Sequence, residues 1–292
     1  MRIVLVHGIS QEGKSDQIIR NEWMEALRRN YATHGLVDPT GRLSRVEAAY
    51  YGDRLKDLSA GWVTGKTIAL GVEETPDDFD EFAVKALEEM ALRMGATLEQ
   101  IEREEETTTV AQGAGVHKKL VKAIARVIEK VSPLRGTLAM RILGQAHAYI
   151  RNQHVHDEIN KLVRPLFEDD EPMIVVSHSL GTIVAYSLLR EFARNNRPRQ
   201  VPLFVTLGSP LGIDSVRKGF PRPRTRPADV QRWVNGADPE DFVALRVALT
   251  DQTFGPGIVN YSDIENGHEN PHSISGYLGD KRIADEIAAV IP

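Results

Sequence analysis

Short, almost wholly apolar runs alternate along this chain with longer stretches in which apolar residues recur every three or four positions. The runs IVLV (3–6), MIVVS (173–177) and PLFVTLGSP (202–210) have the length and branched side chains of strands, as do the mixed segments at 46–51, VQRWVNG (230–236) and GIVNYS (257–262). Ile19, Trp23, Ala26, Leu27 and Tyr31 share one helical face over residues 16–31, and His34-Gly35 closes that segment. Ile274, Tyr277, Leu278, Ile283, Ile287 and Val290 mark a closing helix over 273–290. Apolar strands alternating with helices predict the α/β class: a mostly parallel sheet with helices on both faces.

Between the second and third strands the pattern is helical. Phe79, Phe82, Ala86, Leu87 and Met90 form one apolar stripe, and Leu120, Val121, Ile124, Val127, Ile128 and Val131 form another. A further helix is predicted from about residue 137 to 166, with a loop at 107–115 and a break at Ser132-Pro133. Charge divides this region. Residues 73–106 carry thirteen acidic and three basic side chains, whereas 117–151 carry one acidic and eight basic. The predicted organisation is a core of residues 1–60 and 170–292, interrupted by a helical insertion at 61–169.

Composition narrows the function classes. A net charge of −5 over 292 residues argues against a nucleic-acid binder, which carries a strong basic excess. The absence of cysteine excludes disulfides, a thiol nucleophile and thiolate metal ligands. No signal-like start and no bilayer-length apolar run are visible, so a cytoplasmic protein is the expectation. The arginines of PRPRTRP (221–227) read as a solvated loop.

The most informative stretch is MIVVSHSLGTIVAYSLL, where a strand runs almost directly into a long helix around Ser179. A sharp strand-to-helix bend lifts a serine hydroxyl clear of a sheet, and it tolerates only small residues two positions to either side. Those positions are Ser177 and Gly181, giving S-H-S-L-G in place of G-x-S-x-G. The bland alternative is that Ser179 merely caps a helix.

With VHGIS near the start, SHSLG, VTLGSPLG, WVNGADPEDFVAL and NPHSISGYL, the chain resembles the α/β-hydrolase superfamily, in particular its lipase- and esterase-like members. The resemblance touches most of the chain outside residues 60–170. It implies an α/β-hydrolase fold with a large helical lid, no cofactor and no metal. It also implies that the backbone N–H groups of Ile9 and Leu180 form an oxyanion hole. A serine nucleophile needs a base and an orienting acid, in the chain order Ser, Asp or Glu, His. His272, directly before the closing helix, is favoured as base over His268. Asp241 is favoured narrowly over Asp238 as acid, because Asp238-Pro239-Glu240-Asp241 also reads as a helix start capped by Asp238. The implied activity is hydrolysis of a carboxylic ester, with a lipid or phospholipid ester as one candidate substrate. A fold of this type with an idle, ligand-binding site is the alternative.

Three further patterns invite other chemistry. Gly8 to Ser15, GISQEGKS, matches the P-loop pattern of nucleotide binders. That reading demands a strand ending in a magnesium-holding Asp, and neither Asp53 nor Asp238 directly follows a clean apolar strand. Lys118, Lys119, Lys122, Arg126 and Lys130 make 118–135 a basic amphipathic segment suited to an anionic membrane surface; the plainer expectation is packing on the core and pairing with the acidic block. His147, His154 and His156 raise a metal question, but on a helix His156 points away from His154, and no metal is expected.

Overall fold

The computed structural model describes residues 1–64, 76–109, 116–132, 135–195, 197, 199–244 and 248–292. The loop expected at 107–115 lies outside the described residues from position 110 onward, as does Pro133. In chain order the elements are β1 (Arg2–Val6), α1 (Asp16–Thr33), β2 (Val46–Ala49), α2 (Gly52–Thr64), α3 (Pro76–Arg93), α4 (Leu98–Thr107), α5 (Val116–Val131), α6 (Arg135–Arg151) and α7 (Gln153–Val163). There follow β3 (Met173–His178), α8 (Leu180–Arg194), β4 (Val201–Leu207), α9 (Asp214–Lys218), β5 (Val230–Gly236), α10 (Asp251–Phe254), β6 (Ile258–Tyr261), α11 (Ile274–Tyr277) and α12 (Lys281–Val290).

The chain divides into two compact units. The first comprises Met1–Asp53, Glu158–Gly212 and Pro221–Pro292; the second comprises Arg54–Asp157 and Ile213–Phe220. The first unit holds a single six-stranded sheet in the order β2-β1-β3-β4-β5-β6, with every neighbouring pair parallel. From β1 the chain moves outward to β2, then returns to the other side of β1 for β3 and continues in that direction to β6. Winding therefore reverses between β1 and β3. Open α/β sheets form their ligand crevices at the carboxyl ends of strands flanking such a reversal.

Side chains alternate across the sheet, so each strand feeds two layers. Ile3, Leu5, Ile174, Val176, Leu203, Val205 and Val234 bury one face together with Ile19, Trp23, Leu27 and Tyr31 of α1 and with Ile283 and Ile287 of α12. On the other face the Phe204 and Trp233 rings meet at a tilt, 5.1 Å between centroids, and Tyr186 of α8 lies 5.4 Å from Trp233. Both layers are dry, which is why the strands read as apolar runs without alternation. The exception is a row in register near the carboxyl ends: Ser177, Thr206, Asn235 and Asn260. Ser177 donates to the Val205 carbonyl at 2.9 Å, Thr206 donates to Asn235 Oδ1 at 2.9 Å and Asn235 donates to Asn260 Oδ1 at 3.2 Å, so each polar group of the row has a partner.

Element ends differ from the sequence expectation where a local cap intervenes. The helix expected over 137–166 is two helices, parted at Asn152, whose side-chain oxygen accepts from the His154 and Val155 N–H groups. The closing helix is also two, because Asp280 caps α12 at the Arg282 N–H. Helix α2 follows β2 where the sequence showed only a strand end.

The second unit is helical. Val121, Ile124, Val127 and Ile128 of α5 are buried. Of its basic residues, Lys122 donates to the Thr109 carbonyl at 2.9 Å, while Arg126 and Lys130 both pair with Glu104 of α4. Lys118 is exposed and Lys119 half-buried. The acidic and basic blocks thus meet along α4 and α5. His147 is buried between Phe79 and Phe82, with Nε2 3.2 Å from Asp78. Among the described residues no three His, Asp or Glu side chains come together as a metal site, and no helix is long and apolar enough to cross a membrane.

Helix α8 closes tightly on β1. A Cβ at Gly181 would press on the Val6 and His7 carbonyl oxygens, backbone atoms that cannot swing away. Gly181→Ala is expected to cost about 1–3 kcal/mol of stability, the range for overpacking a rigid site. Urea unfolding of the variant reads this directly; an unchanged midpoint would contradict the close approach.

Candidate functional site

The reversal point between β1 and β3 is where the sequence-predicted residues gather. Strand β3 ends at His178, and Ser179 turns the chain into α8 with φ 53° and ψ −129°, a conformation costly for a residue with a Cβ. The bend is held from several sides. The Ser179 N–H donates to the Leu207 carbonyl at 3.0 Å, and the Thr182 hydroxyl donates to the Ser179 carbonyl at 2.7 Å. Gly8 packs so closely that a Cβ there would lie 2.5 Å from Ser179 Cβ. The Ser179 hydroxyl makes no helix-capping bond. Its oxygen lies instead 2.9 Å from His272 Nε2.

His272 is carried by the segment between β6 and α11. Its Nδ1 lies 2.8 Å from Asp241 Oδ2. Asp241 follows β5 and is wholly buried. Burial works to raise its carboxyl, but the charge of His272, the bonds from His272 and Tyr277 and the backbone bond from Val243 together hold it below the usual carboxylate range. Its other oxygen, Oδ1, accepts the Val243 N–H at 2.8 Å and the Ala244 N–H at 3.4 Å. The three residues therefore form a continuous hydrogen-bonded chain from hydroxyl through imidazole to carboxylate.

The two rival residues serve as braces. Asp238 Oδ1 accepts the Glu240 N–H and its Oδ2 accepts the Asn266 N–H, both at 2.6 Å. The second bond ties the segment carrying the acid to the segment carrying His272. The helix start expected at Asp238 is realised only as turns, although Asp238 makes the capping bond to the Glu240 N–H. His268 is 91% exposed and lies 2.9 Å from Glu240, whose charge raises the imidazole above its ordinary range.

Among the described residues, neither the Ile9 nor the Leu180 backbone N–H finds an acceptor. Leu180 N–H stands at the first turn of α8, where no intrahelical partner exists. The Gly8–Ile9 peptide is set by His7. The Tyr51 N–H donates to His7 Nε2 at 3.2 Å, so the ring proton resides on Nδ1 and is donated to the Gly8 carbonyl at 2.6 Å. A trans peptide directs its N–H opposite to its carbonyl, so this bond also aims the Ile9 N–H.

The P-loop-like stretch has other employment. Ser15 caps α1 through the Ile18 N–H, Lys14 pairs with Glu22, and the Gly13 N–H donates to Asp53 at 2.9 Å. A carboxylate thus occupies one of the backbone donors that a phosphate would use.

Three residues of this cluster had no assigned role in the sequence. His178 Nε2 donates to the His272 carbonyl at 3.0 Å, and its ring lies 4.7 Å from that of His272. Tyr277 donates to Asp241 Oδ2 at 2.6 Å and accepts the Asp238 N–H at 3.0 Å. Gly208, at φ 55°, fits where a Cβ would lie 3.0 Å from Asp241 Oδ2 and 3.1 Å from His272 Nδ1. Adjacency to Ser179, spacing from His272 and the G-S-P turn after β4 were the available signals.

Comparison of the chain with protein-family models, with curated proteins and with solved structures finds no match.

The buried histidines predict a pH dependence of stability. Burial pushes His7 down to about 4, against the bond to Gly8, and His178 down to about 3, with His272 adding to the effect. Unfolded imidazoles take a proton below about pH 6.5. The unfolded chain thus binds more protons, and stability is lost as pH falls from about 6.5 towards those values, at about 1.4 kcal/mol per pH unit for each histidine. His178→Gln, which keeps a donor, is expected to flatten the slope of urea-unfolding free energy between pH 6.5 and 4.5 by that amount. Equal slopes for the variant and the parent protein would refute the burial argument.

Proposed function

We propose that the protein is a serine hydrolase of carboxylic esters, of the lipase and esterase type, built on an α/β-hydrolase fold. The observation that carries this reading is the chain Ser179–His272–Asp241, with Ser179 on a strained bend beside two backbone N–H groups that have no acceptor among the described residues. The single parallel sheet and its reversal point beside Ser179 support it. The helical lid expected over residues 61–169 differs in its bounds from the second unit, which comprises Arg54–Asp157 and Ile213–Phe220.

The mechanism follows from the geometry. His272 Nε2 takes the proton from Ser179 Oγ as that oxygen attacks the acyl carbonyl carbon. Asp241 keeps the ring proton on Nδ1 and stabilises the imidazolium that forms. The carbonyl π electrons move to oxygen, and the resulting anion is held by the Ile9 and Leu180 N–H groups. Each such donor is worth about 3 kcal/mol of barrier. The tetrahedral adduct collapses, the alkoxide leaves with the proton from His272, and an acyl-serine remains. Water, deprotonated by His272, then attacks the acyl carbon and releases the acid, restoring the Ser179 hydroxyl. Every proton and electron pair is accounted for by the protein, the ester and water.

A fluorophosphonate probe is expected to label the parent protein at Ser179 and to leave Ser179→Ala unlabelled. Against a series of p-nitrophenyl esters of increasing acyl length, Asp241→Asn is expected to lower kcat about 10³–10⁴-fold, the scale for losing the correct imidazole tautomer. Asp238→Asn should cost far less. A folded parent protein that resists labelling would overturn the reading, and equal losses in the two Asp variants would overturn the assignment of the acid.

A further inference from the structure

We propose that Tyr277 is a positioning residue that sets how readily His272 takes up a proton, by sharing the one Asp241 oxygen on which His272 leans. This deepens the reading of His272 as the general base and rests on it for its catalytic meaning.

The geometry points to a single crowded oxygen. Asp241 Oδ2 receives His272 Nδ1 at 2.8 Å and the Tyr277 hydroxyl at 2.6 Å, whereas Oδ1 is taken by backbone N–H groups. The Tyr277 hydroxyl has no freedom to turn elsewhere. Its oxygen accepts the Asp238 N–H at 3.0 Å, so its own proton is aimed at Asp241. Gly208 runs past the same oxygen: a Cβ there would lie 3.0 Å from it.

Two donors on one carboxylate oxygen compete for its charge. The bond from Tyr277 spreads negative charge away from His272, so the imidazolium gains less from Asp241 than it would from a carboxylate without that bond. The remaining groups facing His272 do not supply this control. Ser179 and His178 approach from the end of β3, and His178 is held neutral by burial. Phe242 is apolar, at 6.4 Å between ring centroids. Asp238 faces Tyr277 through its backbone N–H and spends its carboxylate on Glu240 and Asn266. Burial and the Asp241 charge both keep the Tyr277 hydroxyl protonated, so it remains a donor across the working range of pH.

The test follows the His272 imidazole by NMR through a pH titration of the full chain, with its resonance assigned by its loss in His272→Gln. Tyr277→Phe is expected to move the midpoint upward by about half to one pH unit, the scale of one hydrogen bond's net contribution. Incorporating 2,3-difluorotyrosine at position 277, a more acidic phenol and stronger donor, is expected to move it downward. The pH of half-maximal fluorophosphonate labelling should follow in each case. A residue that only packs would leave all three midpoints alike, and that result, or shifts of the opposite sign, overturns the proposal. If Tyr277→Phe fails to fold, the fluorinated chain, which keeps both bonds, decides alone. Unmoved midpoints beside normal labelling of Ser179 refute the role of Tyr277 and leave the hydrolase reading standing. Shifted midpoints in a protein whose Ser179 never labels uphold the tuning and refute the hydrolase reading.

Discussion

The site depends on one backbone constraint: Ser179 held at φ 53° where β3 gives way to α8. A side-chain-bearing residue pays about 1–3 kcal/mol to stay in such a conformation, so the surroundings must over-determine it. They do so by contact rather than by a single strong bond. Gly8 lies against the serine Cβ, and Gly181 lets α8 press onto the Val6 and His7 carbonyls. Leu207 and Thr182 fix the two peptide groups beside the bend. Loosening any of these neighbours frees the hydroxyl to relax toward an ordinary cap and away from His272.

The electrostatic arrangement behind the bend is economical in charge. Asp241 sits at its centre and receives four donors, two side chains and two backbone N–H groups, while a second buried carboxylate, Asp238, accepts the Glu240 and Asn266 N–H groups beside it. Around it stand His7 and His178, both kept neutral by burial and both used as directional hydrogen-bond donors. His7 orients the Gly8–Ile9 peptide and His178 holds the backbone of His272. A buried ion left unpaired would be far more costly than these neutral rings, and both buried aspartates are met by donors.

Much of this was legible because short-range rules act on adjacent residues. The apolar runs read as strands since both faces of the sheet are covered, and the bend was visible because Ser177 and Gly181 are small on either side of Ser179. Other features were illegible for equally local reasons. Asp238-Pro239-Glu240-Asp241 has every mark of a helix start, and Asp238 Oδ1 does accept the Glu240 N–H, yet only turns follow, and Oδ2 binds Asn266, a residue 28 positions away. The closing helix reads as continuous until Asp280 caps a new start. The basic residues of α5 read as a candidate membrane face, with pairing to the acidic block the plainer expectation, and the contacts with Thr109 and Glu104 occupy Lys122, Arg126 and Lys130.

By itself, the sequence determined the α/β alternation, the place of the bend and the pool of residues from which a base and an acid could be drawn. Those follow from periodicity, residue size and chain order, which are properties of neighbours along the chain. Only the tertiary structure decided that Asp241 rather than Asp238 faces His272, that His272 rather than His268 reaches Ser179, and that Tyr277 bridges the two aspartates. These choices turn on differences of a few ångströms between segments far apart in sequence. Such distances are set by how β5, β6 and α11 pack against the sheet, and no local pattern encodes them.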